Sequence, residues 1–246
     1  MSAALWLLGT LTTLWLLGGL LSQHVQGLLL LLTGRPRFAT AAYDLLVLPG
    51  VVLHELSHVV GALLLGIRVI SVNLFQFRSL NDARQGEVVV AKADPVRMSL
   101  VGAAPLIGGV LVLWLLVRWL DPPAVGFDLA ALDQIRPLLS EPLSAIGVYL
   151  VFAIANTMFP SAADRQAWWV VGVALAIMGL ILYAFGVQPS IPPDWIAQLT
   201  QQADQITAAL LPVILIDVLI LAIVIALEVI VGRISGRRIV YRSSRS

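Results

Sequence analysis

The sequence predicts an all-α polytopic membrane protein of about six transmembrane helices, with a small cytoplasmic β-hairpin after the second. Three observations carry this expectation. The 246 residues are 59% hydrophobic and 12% charged, with a mean hydropathy of +0.95, whereas a water-soluble domain carries about twice that charged fraction. Apolar runs long enough to cross a bilayer recur between polar or Pro/Gly-rich stretches. One region, 67–97, breaks the pattern with an alternation of period two.

In chain order the expected spans are 4–21, 43–66, 98–120, 142–158, 168–187 and 207–231. No Lys or Arg precedes the first run and no small-residue cleavage site follows it, so it is expected to stay as an anchor. The run 24–33 is too short to cross alone and reads as an interfacial turn or an extension of the first span. In the region that follows the second span, Ile70, Val72 and Leu74 alternate with Ser71 and Asn73. The phase then slips at Phe75 and Phe77, as at a bulge. A polar turn (79–86) and a return strand (87–92) complete a hairpin at about 68–92. The third span opens with Gly102-Ala103-Ala104-Pro105, in which Ala104 and Gly108 form a small-xxx-small packing face. Segment 121–141 is mildly acidic, lies on the outer side and is too small to be a domain. Segment 188–205 is expected at the outer interface with Trp195 as anchor, and Trp114, Trp119, Trp168 and Trp169 fall near span ends as an aromatic belt places them.

These elements divide the chain into an N-terminal helix with an outer interfacial segment (1–42), a three-helix core carrying the hairpin (43–166), two accessory helices (167–232) and a basic cytoplasmic tail (233–246). The alternation of spans puts Arg68, Arg78, Arg84, Lys92, Arg97, Arg165 and the tail arginines on one side. The other receives Arg35, Arg37, Arg136 and the nearby Arg118. The excess predicts that both termini are cytoplasmic, in a plasma membrane of bacterial type. The net charge of +1 gives no reason to expect a nucleic-acid partner, and the lipid bilayer is the evident environment.

Within the second run stands His54-Glu55-Leu56-Ser57-His58, an H-E-x-x-H. On a helix, positions i and i+4 share a face about one turn apart, so both imidazoles can reach one metal ion. Glu55 lies about 100° round the helix, within reach of a metal-activated water without being a ligand. Ionisable groups in an apolar span are costly unless paired or ligating. The chain has no cysteine, which excludes thiolate sites, so a third ligand is either His24 or an Asp or Glu elsewhere. Asp164 closes the fourth span on the side where the second also ends and can approach the His54/His58 face. Two His and one carboxylate with an open position form a catalytic zinc arrangement. His24, with Ser22, Gln23 and Gln26 around it, reads as solvated on the outer side. Asp217, near the middle of the sixth span, is expected either to face a polar cavity or to hydrogen-bond a neighbouring helix.

On these residues the sequence resembles the site-2 protease family of intramembrane zinc metalloproteases, in a compact form without a PDZ domain. The resemblance rests on His54 to His58, on Gly102 to Pro105 and on the interval from Asn156 to Asp164, and covers roughly 43–165. It implies zinc held by His54, His58 and Asp164, Glu55 as general base, Asn156 in a substrate-positioning role, and a transmembrane or membrane-anchored protein as substrate. The chain departs from the family pattern in its prolines, reduced to Pro160, and in Arg165, where the family has Gly. Two other readings of the sequence are a membrane scaffold or transporter that retains the fold without catalysis, and a metallopeptidase acting on small peptides.

Overall fold

Continuous apolar sequence satisfies its backbone polar groups most simply as helix, and most of the chain does so. The computed structural model describes residues 2–73, 87–120, 140–186, 192–239 and 241. Helix α1 spans Ser2–Thr33, α2 Pro36–Leu46 and α3 Leu48–Leu64. The strands β1 (Val69–Asn73) and β2 (Glu87–Val90) follow. Then come α4 (Pro95–Leu120), α5 (Pro142–Ala155), α6 (Trp168–Ala184) and α7 (Pro193–Ser235). The strands pair antiparallel, Asn73 opposite Glu87 and Val69 opposite Val90, with an irregularity between Val69 and Ser71. The bulge expected at Phe75, the turn 79–86 and the acidic residues 121–139 lie outside the described residues.

The expected run 24–33 extends α1 rather than forming a turn. Three helices, α1, α4 and α7, are long and apolar enough to cross a membrane individually, while α5 and α6 are shorter apolar helices. Six separate spans are therefore not what length and composition give. The departure lies at the second expected span: α2 and α3 qualify only as a pair, bent by 78°. The cause is Pro49, next to the bend at Val47 and in the first turn of α3. It has no N–H to donate, and its ring opposes the carbonyl four residues back, so α2 cannot run on into α3.

Contacts fix the helix directions. Leu14 shares a core with Leu210, Val213 and Ile214, and Leu21 packs near Ile216, Ile220 and Leu221. His24 bonds Glu228, and Gly34 lies beside Arg237. Helices α1 and α7, the most extensive helix pair, thus run parallel. Helix α3 runs parallel to α5, since the Tyr149 hydroxyl donates to Leu46 O at 2.9 Å and His54 reaches Thr157. Helix α4 runs against α5, with Gly147 under Leu120 and Gly109 under Met158. Helix α2 folds back along α1 through Thr40 and Gln26. The 78° bend turns α3 nearly perpendicular to α2, a geometry that fits a broken span or a re-entrant loop.

Ser2 and the tail lie at opposite ends of the α1–α7 pair, and Arg35 and Arg37 stand with the tail.

The packing follows small residues, as expected where lipid is as apolar as the side chains. Helix α3 lies on the Ala104/Gly108 face of α4, with Gly61 against Ala104 and Ser57 against Gly108. At Gly50 any Cβ would run into the Ala153 carbonyl and the Thr157 hydroxyl, so α3 and α5 touch backbone to backbone. Helix α6 has no buried residue and forms the outer wall next to α4.

Candidate metal centre

The helical spacing of H-E-x-x-H places His54 and His58 on one face of α3, ring centroids 5.0 Å apart. Each ring is oriented from behind by a main-chain carbonyl. His54 Nδ1 donates to Thr157 O at 2.8 Å and His58 Nδ1 to Val101 O at 2.9 Å. A carbonyl only accepts, so each Nδ1 carries its proton and each Nε2 presents a lone pair into the site. The Val101 carbonyl is available for a reason written in the sequence: Pro105, four residues on and fully buried inside α4, has no N–H to give it.

Asp164 is brought in by the loop after α5. The Ser161 N–H donates to Asp164 Oδ2 at 2.7 Å, and the Asp164 N–H donates to Ser161 Oγ at 3.3 Å. This is the reciprocal pairing of a capping box, here on a turn. Asp164 Oδ1 lies 3.2 Å from His58 Nε2 and Oδ2 3.7 Å from His54 Nε2. Burial raises the Asp164 pKa, but the two imidazoles and Ser161 outweigh it and hold the carboxyl well below its usual range. The loop reaches this position because Gly102 has no side chain: a Cβ there would collide with the Asp164 carbonyl. Arg165 turns outward, donating from Nε to Ser161 O at 3.2 Å and lying 5.7 Å above the Trp15 ring.

Candidate ligand atoms of His54, His58 and Asp164 lie within 4.8 Å of one another. The three residues can hold a metal ion, and the donor set of two neutral imidazoles and one carboxylate fits one. His24 stands elsewhere, its Nδ1 2.6 Å from Glu228 Oε2, with the Tyr241 hydroxyl on the other carboxylate oxygen. The expectation of a solvated His24 is corrected accordingly.

The site opens into a cavity of about 970 Å³. Glu55, only 7% exposed, lines it beside His54 and His58; Val88 and Val90 of β2 line another wall, and Ser22, Gln26 and Thr40 form a polar arm. Asn156 also lines the cavity, but its amide is committed: Nδ2 donates to Phe152 O at 3.0 Å and to Asp217 Oδ1 at 3.2 Å. Asp217 is fully buried and makes the hydrogen bond to a neighbouring helix that its depth calls for.

Sequence reasoning missed Pro105, Thr157, Ser161 and Gly102 as supports of the site. Two carried a readable signal: the Ser-x-x-Asp of a capping box at 161–164, and a proline four residues after Val101. Comparison with family models, with curated proteins and with solved structures finds no match to this chain.

Proposed function

We propose that the protein is an intramembrane zinc metalloprotease, which hydrolyses peptide bonds of membrane-embedded or membrane-proximal proteins. The observation that carries this reading is the convergence of two tautomer-fixed imidazoles and a carboxylate with Glu55 beside them, in a cavity enclosed by apolar helices. His54, His58 and Asp164 hold the zinc. When bound, zinc supplies Lewis acidity, which lowers the pKa of water and polarises a carbonyl.

The rest of the chemistry belongs to the chain's own side chains. Glu55 accepts a proton from the attacking water and passes it to the departing amine. Val101 and Thr157 keep both rings in the ligating tautomer, and the Ser161 N–H keeps the Asp164 carboxylate facing them. Asn156 has its side-chain N–H groups engaged by Phe152 and Asp217 and its side-chain oxygen buried, so its part is to support the cavity wall rather than to donate to an oxyanion. A helical substrate has its peptide bonds shielded and must open locally. Strand β2, whose Val88 and Val90 face the cavity, is placed to take the opened segment as an added strand. Arg68, Lys92, Arg97 and Arg165 follow the ends of α3 and α5 in the chain, and by the positive-inside tendency they favour a cytoplasmic position for those ends. The site is approached from there.

The test compares wild type with Glu55→Gln on a membrane-embedded substrate in reconstituted vesicles, with metal content measured in parallel. The expected result is retained zinc with cleavage reduced about 10²- to 10⁴-fold. Equal processing by the two proteins overturns the enzyme reading. Cleavage of soluble peptides with none of membrane substrates favours a small-peptide enzyme.

A further inference from the structure

The parallel course of α1 and α7 brings together two chain segments about 200 residues apart. Each helix ends on a glycine in the left-handed region, Gly34 at φ 65° and Gly236 at φ 67°, and each glycine is followed at once by arginine. Arg35 and Arg37 come from the first end, Arg237 and Arg238 from the second, with Arg233 in the last turn of α7. Arg237 Nη1 lies 3.6 Å from the position a Cβ on Gly34 would take, so the two groups form one surface. All five arginines are exposed. Among the described residues none has an ion-pair partner. The nearby carboxylate, Glu228, is occupied by His24 and Tyr241.

Like charges gathered without counter-charges repel and call for an anion. The surroundings indicate which kind. Leu32, Phe38 and Ile234 stand beside the arginines at 60%, 52% and 83% exposure, at the ends of two helices long and apolar enough to span a membrane. A free polyanion has no use for that apolar border, whereas a phospholipid presents a phosphate with acyl chains below it. We propose that the joined ends of α1 and α7 form a binding surface for the headgroup of an anionic phospholipid, with the guanidinium groups gripping its phosphate and Phe38 and Ile234 lying against its chains. Arginine suits the task because its planar fork meets phosphate oxygens two at a time. The proposal assumes that α1 and α7 are membrane spans and is independent of the proteolytic reading.

The full chain, purified and delipidated in a neutral detergent, is titrated with phosphatidylglycerol, with phosphatidylcholine and with inorganic phosphate. Binding is read by native mass spectrometry and by the shift in melting temperature. Phosphatidylglycerol is expected to bind and raise the melting temperature while the other two do neither. Arg35→Gln/Arg37→Gln/Arg237→Gln is expected to weaken that binding on the order of a hundredfold, as loss of three headgroup contacts implies. Arg68→Gln/Lys92→Gln, which removes two charges flanking the β1–β2 pair and outside the surface, leaves it unchanged. Equal binding of phosphatidylcholine, equal effect of inorganic phosphate, or equal loss in both variants overturns the proposal. If the triple variant does not fold, Arg237→Gln alone, read by the count of retained phosphatidylglycerol molecules, decides in the same way.

Discussion

Replacing Gly102 by alanine tests how the centre is assembled without touching a ligand. The added methyl would stand 2.9 Å from the Asp164 carbonyl carbon and nearer still to its oxygen, where ordinary contact is about 3.5–4 Å. Helix α4 is anchored on α3 through Gly61, Ala104 and Gly108, so the loop is the part that yields, by roughly 1 Å. Ligand-to-metal distances tolerate only about 0.2 Å, and Asp164 is the one ligand that the loop carries. The expected result is a fall of about 10- to 100-fold in metal affinity, in the range seen when a supporting contact is lost. The assay is chelator competition on the purified protein. Gly172→Ala, on a helix where a Cβ meets nothing within 4 Å, serves as control and is expected to be neutral or slightly stabilising. Wild-type metal affinity in a folded Gly102→Ala protein would refute the inference that α4 seats the ligand loop.

Other outcomes follow from the same geometry. His24→Ala removes the partner of a largely buried carboxylate, Glu228; it should lower thermal stability by about 3 kcal/mol while leaving the metal content unchanged, and loss of metal would make His24 a ligand after all. Asp217→Ala takes away one acceptor of the Asn156 amide, at a cost of about 1–3 kcal/mol, whereas Asp217→Asn should retain most of the stability; denaturant unfolding separates the two. For Asp164, the folded pKa lies below its unfolded value of 3.8. Its contribution is therefore present above the unfolded value and is lost only as pH falls towards the folded one. Metal release at about pH 5–6 should then reflect protonation of the imidazoles, and Asp164→Asn, by weakening binding, should move the midpoint of release to higher pH at a fixed metal concentration.

The ligand set was legible because its residues are chemically out of place. Two histidines one turn apart in an apolar run, and the absence of cysteine, leave few donors, and Asp164 is the carboxylate closing the fourth run. The supports were less legible because they are main-chain groups. Only the fold shows that Val101 O meets His58, although Pro105 had already freed that carbonyl. The hairpin was readable from its alternation. The bend between α2 and α3 was not, because hydropathy measures how favourably a segment leaves water and says nothing of the direction in which it then travels. The apolar run 43–66 was expected as one uninterrupted span. The Pro49-Gly50 dipeptide in the middle of that run was the sign that it turns.

The α1–α7 pairing also bears on how the protein comes into being. Synthesis is vectorial, and α1 leaves the ribosome long before its main partner exists; the contact between His24 and Glu228 spans 204 positions. Until the last helix is made, Leu14 and Leu21 have no Leu210 or Ile220 to pack against, and Asn156 at the cavity wall lacks Asp217 to hold it. Contacts this distant in sequence form late. A chain arrested before α7 thus carries His54, His58 and Asp164 with their main-chain supports at Val101, Thr157 and Ser161 but without Asp217 behind Asn156, so the last helix completes the cavity wall rather than the candidate metal centre itself.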